Sequence, residues 1–314
     1  MQISYNQIIN YLSLQGIDYS LEGSTHSEYQ ICSLFYPESN GFYFLIGDLI
    51  KPSVENSLFI SDISLTTEQN SGIILVKENP QIIYYKLLDY YFKEQSTGVI
   101  SDNVSRHEEA IIGKNVQIDD FVVLGKCVIG DNTIIKSHTV VADNSIIGDN
   151  VILESHCTIG ATGAAWAWGE NNEKFKQPQL GGVTIKDDCF IGANSAVVKG
   201  SLNENTGIGE NTIIAPGARI GHGTQIGNGV HFANNVVTGG NVKIGDFCFI
   251  GSSVTFRPKV EIHPCTVVGA GAVVVKDTSK ENLLLIGFPA KEKQVKKDLT
   301  GVPNYKPKSL SQNY

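Results

Sequence analysis

The stretch IGENTIIAPGARIGHGTQIGNGVHF, residues 208–232, decides the fold. A large apolar residue recurs at every sixth position: Ile208, Ile214, Ile220, Ile226 and Phe232. The series runs on through Thr238, Ile244, Ile250, Phe256, Ile262, Val268 and Val274, with Thr238 its one polar member. The next residue is usually small, as at Gly209, Gly221, Gly227, Gly245, Gly251 and Gly269. Four positions after each comes a second small or β-branched residue, among them Thr212, Ala218, Thr224, Val230, Val236 and Val242. A period of six fits neither an α-helix nor a simple alternating strand. It fits a chain that makes a short strand, turns and repeats. Positions i and i+4 then point inward, and the small residue at i+1 is expected to allow the corner. Three such hexads close a triangular coil, and coils stack through parallel hydrogen bonds into a solenoid.

Working outward, the same spacing appears at Ile129, Ile135, Val141, Ile147, Leu153 and Ile159, and again at Ile185, Ile191 and Val197. Ile112, Ile118 and Leu124 precede the first of these blocks, with one residue missing between Leu124 and Ile129. The solenoid is predicted over residues 104–276. Cys127, Cys157, Cys189 and Cys248 fall on inward positions, where a thiol serves as a small hydrophobe. Residues 161–182 break the period and carry both tryptophans, Trp166 and Trp168. This segment must leave the coil as a loop, either a clasp over neighbouring coils or subunits, or the wall of a ligand site.

Residues 1–103 read as a small α/β domain. Ser4 and Gln7 form a capping box before a helix carrying Ile8, Ile9 and Leu12 and ending near Gly16. Strands are predicted at 29–35, 41–46, 57–60 and 72–76. Asn79-Pro80 then opens a second helix, on which Ile83, Leu87 and Tyr91 share a face. Its aromatic residues (Tyr84, Tyr85, Tyr90, Tyr91, Phe92) are expected in the core. After the solenoid, residues 277–314 form a short tail with a strand, a Gly/Pro turn and a cluster of Lys291, Lys293, Lys296 and Lys297. This cluster is either a solvated helix face or a seat for phosphate groups.

Composition narrows the function classes. The 314 residues carry a net charge of -8, which argues against nucleic acid or an anionic membrane surface as the partner. The 32 glycines come without high proline or charge and read as turns rather than disorder. No apolar run reaches the ~18 residues of a membrane span, and residues 1–10 show no secretory signal. The six cysteines show no C-x-x-C pair. The cytoplasm is the expected compartment.

The hexad blocks resemble the left-handed parallel β-helix of the hexapeptide-repeat acyltransferases. That resemblance implies a mainly β fold and a homotrimer with active sites between subunits. The order of parts resembles UDP-3-O-acylglucosamine N-acyltransferase of lipid A synthesis, whose N-terminal domain helps bind the nucleotide. Residues 74–80 (ILVKENP) look like that domain's strand and helix start, and Ile220-Gly-His-Gly-Thr-Gln-Ile226 lies where the family carries its catalytic histidine, so His222 is the match. Lys259 stands where that family has a second histidine. The last coils and tail are similar to the acetyl-CoA-dependent N-acetyltransferases of nucleotide-linked aminosugars. There the base aligns with His222, a second histidine with His231, and the amide that holds the thioester oxygen with Gly240. Residues 286–291 (IGFPAK) resemble their segment near coenzyme A, which puts Lys291 and Lys293 beside the coenzyme. The acid that often follows the base in those enzymes is replaced by Gly223. The mixed layout resembles the sugar-nucleotide N-acyltransferases of the anthrose pathway, which implies transfer of 3-hydroxybutyryl or another short acyl group from acyl-CoA to dTDP-4-amino-4,6-dideoxyglucose or a related sugar. The alternative is the lipid A enzyme, with acyl carrier protein as donor.

Acyl transfer from a thioester to an amine needs a proton acceptor for the amine and a donor for the developing oxyanion. An imidazole, with an ordinary pKa of about 6.5, suits the first task. His222 stands at i+2 of its hexad, an outward corner. His231 stands at i+5, outward on a strand half a coil away, so the two are expected to meet only between subunits. Trp166 and Trp168 are candidate substrate contacts. His138 and His156 lie one coil apart at i+3, and that vertical pairing is expected to be a surface feature. A zinc-bound carbonic anhydrase on the same scaffold would need two ligand histidines a few residues apart. The closest pair here is nine apart, so no metal is expected.

Overall fold

Ile134 pairs with Ile152, and Ile213 with His231, each eighteen residues on, so one coil takes three hexads. Val123 pairs with Val140, seventeen residues on, which is where the missing residue between Leu124 and Ile129 goes. The computed structural model describes residues 1–46, 53–64, 70–168, 170 and 173–294. It divides the chain into two units, Met1–Glu94 and Gln95–Tyr314.

In the second unit, strands of mostly two or three residues, from Ser105–Arg106 to Val273–Val274, stack into three parallel sheets that form the faces of a prism. The chain visits the faces in fixed order. The first, nine-stranded, includes Arg219–Ile220. The second, eight-stranded, includes Gln225–Ile226. The third, ten-stranded, includes His231–Phe232. Inward residues at i and i+4 form one continuous core: Ile220, Val230, Phe232 and Val236 are at most 1% exposed. The four inward cysteines lie in it, and burial pushes their thiols up, Cys248 to about 12. Cys265, at i+3, is buried as well.

The corner itself differs from the expectation. The left-handed residue is at i+3, as at Asn211, Gly217, Gly223, Gly229, Asn235 and Asn241, with φ between 53° and 84°. Glycine and asparagine tolerate that conformation best. The glycines at i+1 are small for another reason. A Cβ on Gly209 or Gly221 would run into the backbone of the next coil, at Gly227 or Gly239.

Two segments leave the period, both between the first and second faces. Ser145 pairs with Val183, thirty-eight residues on, so the first excursion adds twenty residues to a coil. The next strand pair, Val183 with Thr206, is twenty-three apart, so a second excursion of five extra residues lies between Val198 and Thr206. The last coil is continued by Leu283–Ile286, parallel to Val267–Val268, and Lys291–Gln294 returns antiparallel on it.

The first unit is a six-stranded sheet with two helices. Its strands are β1 (Gln2–Ser4), β2 (Tyr19–Gly23), β3 (Glu28–Ile31), β4 (Gly41–Leu45), β5 (Leu58–Ser61) and β6 (Gly72–Val76), in the order β1-β3-β4-β5-β6-β2. The helices are α1 (Tyr5–Leu14) and α2 (Pro80–Phe92). The Ser4/Gln7 capping box and the Asn79 cap both form. β1 and β2 were not legible in the sequence, and β3 stops at Ile31, leaving Phe35 90% exposed. Tyr84 joins the core as expected. Tyr85 and Tyr90 are more than half exposed, because consecutive helical positions cannot all face the sheet.

Candidate active site

The edge between the first and second faces carries, coil upon coil, the base of the tryptophan excursion, the short excursion, His222, Gly240 and Lys259. Backbone bonds tie these levels together. The Lys199 amide donates to the Ala161 carbonyl (3.0 Å), that of Asn241 to His222 (2.7 Å), and that of Lys259 to Gly240 (2.9 Å).

The corner that presents His222 rests on buried threonines. Thr206 Oγ1 accepts from the Gly223 amide (2.9 Å), and Thr238 Oγ1 from the Gly221 amide (2.8 Å). The one polar member of the apolar series thus has a partner directly at this corner. Thr224 Oγ1 bonds the Gly239 carbonyl (3.2 Å). The imidazole is half-buried and lies over Gly240. A Cβ at position 240 would overlap its Nε2, so only glycine leaves the ring this place. The Gly240 amide has no acceptor among the described residues.

The other ring nitrogen is engaged. His222 Nδ1 lies 3.0 Å from Ser201 Oγ, on the short excursion. Glu204 shapes that turn. Its carboxylate accepts from the amides of Ser201 (2.7 Å) and Leu202 (3.0 Å). These backbone bonds hold its carboxyl below the usual range, and the nearby imidazole adds to the effect. Its Oε1 lies 3.6 Å from where a Cβ of Gly223 would stand. The acid absent from the position after the histidine therefore arrives from the coil below. Sequence reasoning missed Ser201 and Glu204. The one signal was the eleven-residue step from Val197 to Ile208, which no sum of hexads accommodates.

The tryptophans sit on a two-stranded hairpin, Trp166–Trp168 paired with Lys174–Lys176. Their rings meet at 5.0 Å between centroids, and the Lys174 ammonium stands 4.4 Å and 4.7 Å from them. Both rings are about half exposed. The hairpin's base is pinned to the short excursion: the Leu180 amide donates to the Ser201 carbonyl (3.0 Å) and the Gly182 amide to Asn205 Oδ1 (2.8 Å). Below lies an open groove of about 410 Å³ that includes Lys126, Asn144, Ile146, Leu180 and Asn205 in its lining.

The remaining candidates stand elsewhere. His231 is on the third face, opposite the His222 edge, with its ring stacked on Phe249 (5.1 Å, 3°). Burial lowers its pKa. Phe249, Val267, Leu284 and Lys293 continue the same column of paired residues. Lys291 and Lys293 are exposed on a strand rather than a helix, and Lys296 and Lys297 lie outside the described residues. One chain thus brings His222, Gly240 and the tryptophan hairpin to one edge and leaves His231, Lys291 and Lys293 on another side. His138 and His156 stack at 4.8 Å on a third part of the surface, the edge between the third and first faces, with Phe121 below them. Among the described residues no three histidine, cysteine or carboxylate side chains converge.

The coils match the family described as bacterial transferase hexapeptide (six repeats) over residues 109–143, 126–161, 205–240 and 241–276. The matched segments lie within the coils and mark those residues as hexapeptide repeats of this type. A solved UDP-N-acetylglucosamine O-acyltransferase of Moraxella catarrhalis superposes on 62% of this chain and 73% of its own, with a TM-score of 0.56 and 22% identity. A UDP-N-acetylglucosamine acyltransferase of Francisella novicida is 26% identical over 62% of this chain and 68% of its own, with a TM-score of 0.55. Among curated proteins, the UDP-3-O-acylglucosamine N-acyltransferase of Xylella fastidiosa is 57% identical over 35 residues, which are 11% of this chain and 10% of that protein.

Proposed function

We propose that this chain is an N-acyltransferase that moves a short acyl group, such as 3-hydroxybutyryl, from acyl-CoA to the amino group of a nucleotide-linked aminodeoxysugar such as dTDP-4-amino-4,6-dideoxyglucose, for cell-surface polysaccharide synthesis. One observation carries the reading: an imidazole engaged at Nδ1 and, among the described residues, open at Nε2, lying over a glycine whose N–H has no acceptor among them. The neutral amine attacks the thioester carbonyl and a C–N bond forms. Nε2 of His222 takes the amine proton while the Gly240 N–H holds the oxyanion. The C–S bond then breaks, and the thiolate recovers the proton from the imidazolium.

A site that uses both His222 and His231 needs two chains, because one chain holds them on opposite sides. That supports a homotrimer with sites between subunits. In this arrangement His231, Lys291 and Lys293 serve the coenzyme from the neighbouring chain, and Trp166 and Trp168 bound the sugar nucleotide.

The short, strong match to the Xylella protein favours a second reading, the UDP-3-O-acylglucosamine N-acyltransferase reaction with acyl carrier protein as donor. Assays with acyl-CoAs and acyl carrier proteins against dTDP- and UDP-aminosugars separate the two. Product from acyl-CoA and a dTDP- or UDP-aminodeoxysugar is expected; product only from acyl carrier protein reverses the order.

A further inference from the structure

We propose that Ser201 is a positioning residue that sets the tautomer of His222, so that Nδ1 carries the hydrogen and Nε2 is free to accept the amine proton. The inference rests on the acyl-transfer reading for its catalytic meaning, but the tautomer itself is a property of the resting chain.

A serine hydroxyl can donate or accept, so the 3.0 Å contact alone does not set the direction. The surroundings do. The turn that carries Ser201 is closed around the Glu204 carboxylate, which takes the Ser201 and Leu202 amides and interacts electrostatically with His222. A carboxylate on the Nδ1 side of the ring favours the hydrogen on that nitrogen and on the imidazolium formed during transfer. Nδ1–H then donates to Ser201 Oγ, and Nε2 keeps its lone pair over Gly240. The opposite assignment, with Oγ–H donating to Nδ1, would put a hydrogen on Nε2 and leave the ring no basic nitrogen in the space beside the Gly240 N–H.

Ser201 is itself fixed from two sides. Its amide is bonded to Glu204, and its carbonyl accepts the Leu180 amide at the base of the tryptophan hairpin. The five extra residues between Val198 and Thr206 thus bring to the imidazole the carboxylate that Gly223 does not supply. Position 223 is left-handed, with φ at +65°, and a Cβ there would overlap Asn241 Oδ1 while only touching Glu204.

The test reads the tautomer directly, by nitrogen-15 shifts of labelled histidine in the full chain at a pH where the ring is neutral, with His222→Ala to assign the signal. Wild type is expected to show Nδ1–H, and Ser201→Ala to move the signal toward Nε2–H. Ser201→Thr is expected to restore it, and Glu204→Ala to repeat the Ser201→Ala change. In turnover, Ser201→Ala is expected to lower kcat about tenfold, the worth of one such hydrogen bond, with KM for both substrates within about twofold. An Nε2–H signal in wild type, or no change in Ser201→Ala, overturns the assignment. Full turnover in His222→Ala instead overturns the acyl-transfer reading while the tautomer measurement still stands.

Discussion

Two edges of the same prism carry histidines, and they differ in what surrounds the ring. On the edge between the third and first faces, His138 and His156 occupy left-handed corners, with φ of 63° and 61°, and stack on each other and on Phe121. The coil there keeps its period, and each ring meets mainly another ring. On the edge between the first and second faces one residue is missing after Leu124 and two excursions interrupt the coil. The shorter excursion brings a serine and a carboxylate beside His222, whose ring lies over Gly240 one regular coil on. A regular solenoid places side chains in columns of like neighbours; an insertion is what brings unlike groups together. The proposed chemistry therefore falls on the edge where the repeat fails.

The largest difference between the edges is expected in turnover. His222→Ala should lower the rate of acyl transfer by roughly two to four orders of magnitude, the usual worth of a general base. His156→Asn, which keeps a residue tolerant of the left-handed corner, should leave the rate unchanged. Equal losses in the two variants would erase the distinction. Next comes Gly240→Ala. Its Cβ would displace the imidazole, and a shift of about 1 Å should cost roughly a hundredfold in rate with the melting temperature little changed.

A smaller contrast lies in the threonines beneath the corners. Thr238→Val removes the acceptor of the Gly221 amide, and Thr139→Val removes that of the Cys157 amide (3.1 Å). Each should cost about 1 kcal/mol in denaturant unfolding, and only the first should slow turnover as well. The smallest effect concerns His231. Its native pKa lies below that of the unfolded chain, so its contribution to stability is complete above about pH 6.5 and is lost as pH falls through the lower native value. Unfolding midpoints between pH 7 and pH 5 should fall less in His231→Gln than in wild type.

Much of this architecture was legible because inward positions of a coil demand the same residue type every sixth place. Ile208 to Val274 could be read as a stack without knowing any contact. The odd member, Thr238, was legible as an exception in the series but not as the acceptor of the Gly221 amide. The i+1 glycines were misread, because the pressure on them comes from the next coil, eighteen residues away, and not from their own turn. Ser201 and Glu204 were invisible for a similar reason. An irregular loop has no period, and its contact with His222 exists only because five extra residues carry the chain up to the next level. The first unit was legible at its helix caps, which are local, and less so at β1 and β2, which depend on partners across the sheet.

The most direct measurement is a crystal structure of the assembled protein with coenzyme A and an N-acylated sugar nucleotide bound. The product's amide nitrogen is expected within hydrogen-bond reach, about 3 Å, of His222 Nε2, with the carbonyl oxygen on the Gly240 N–H and the coenzyme along the neighbouring chain's His231. A coenzyme seated away from that edge, or a His222 ring turned from the amide, would contradict the mechanism while leaving the fold intact.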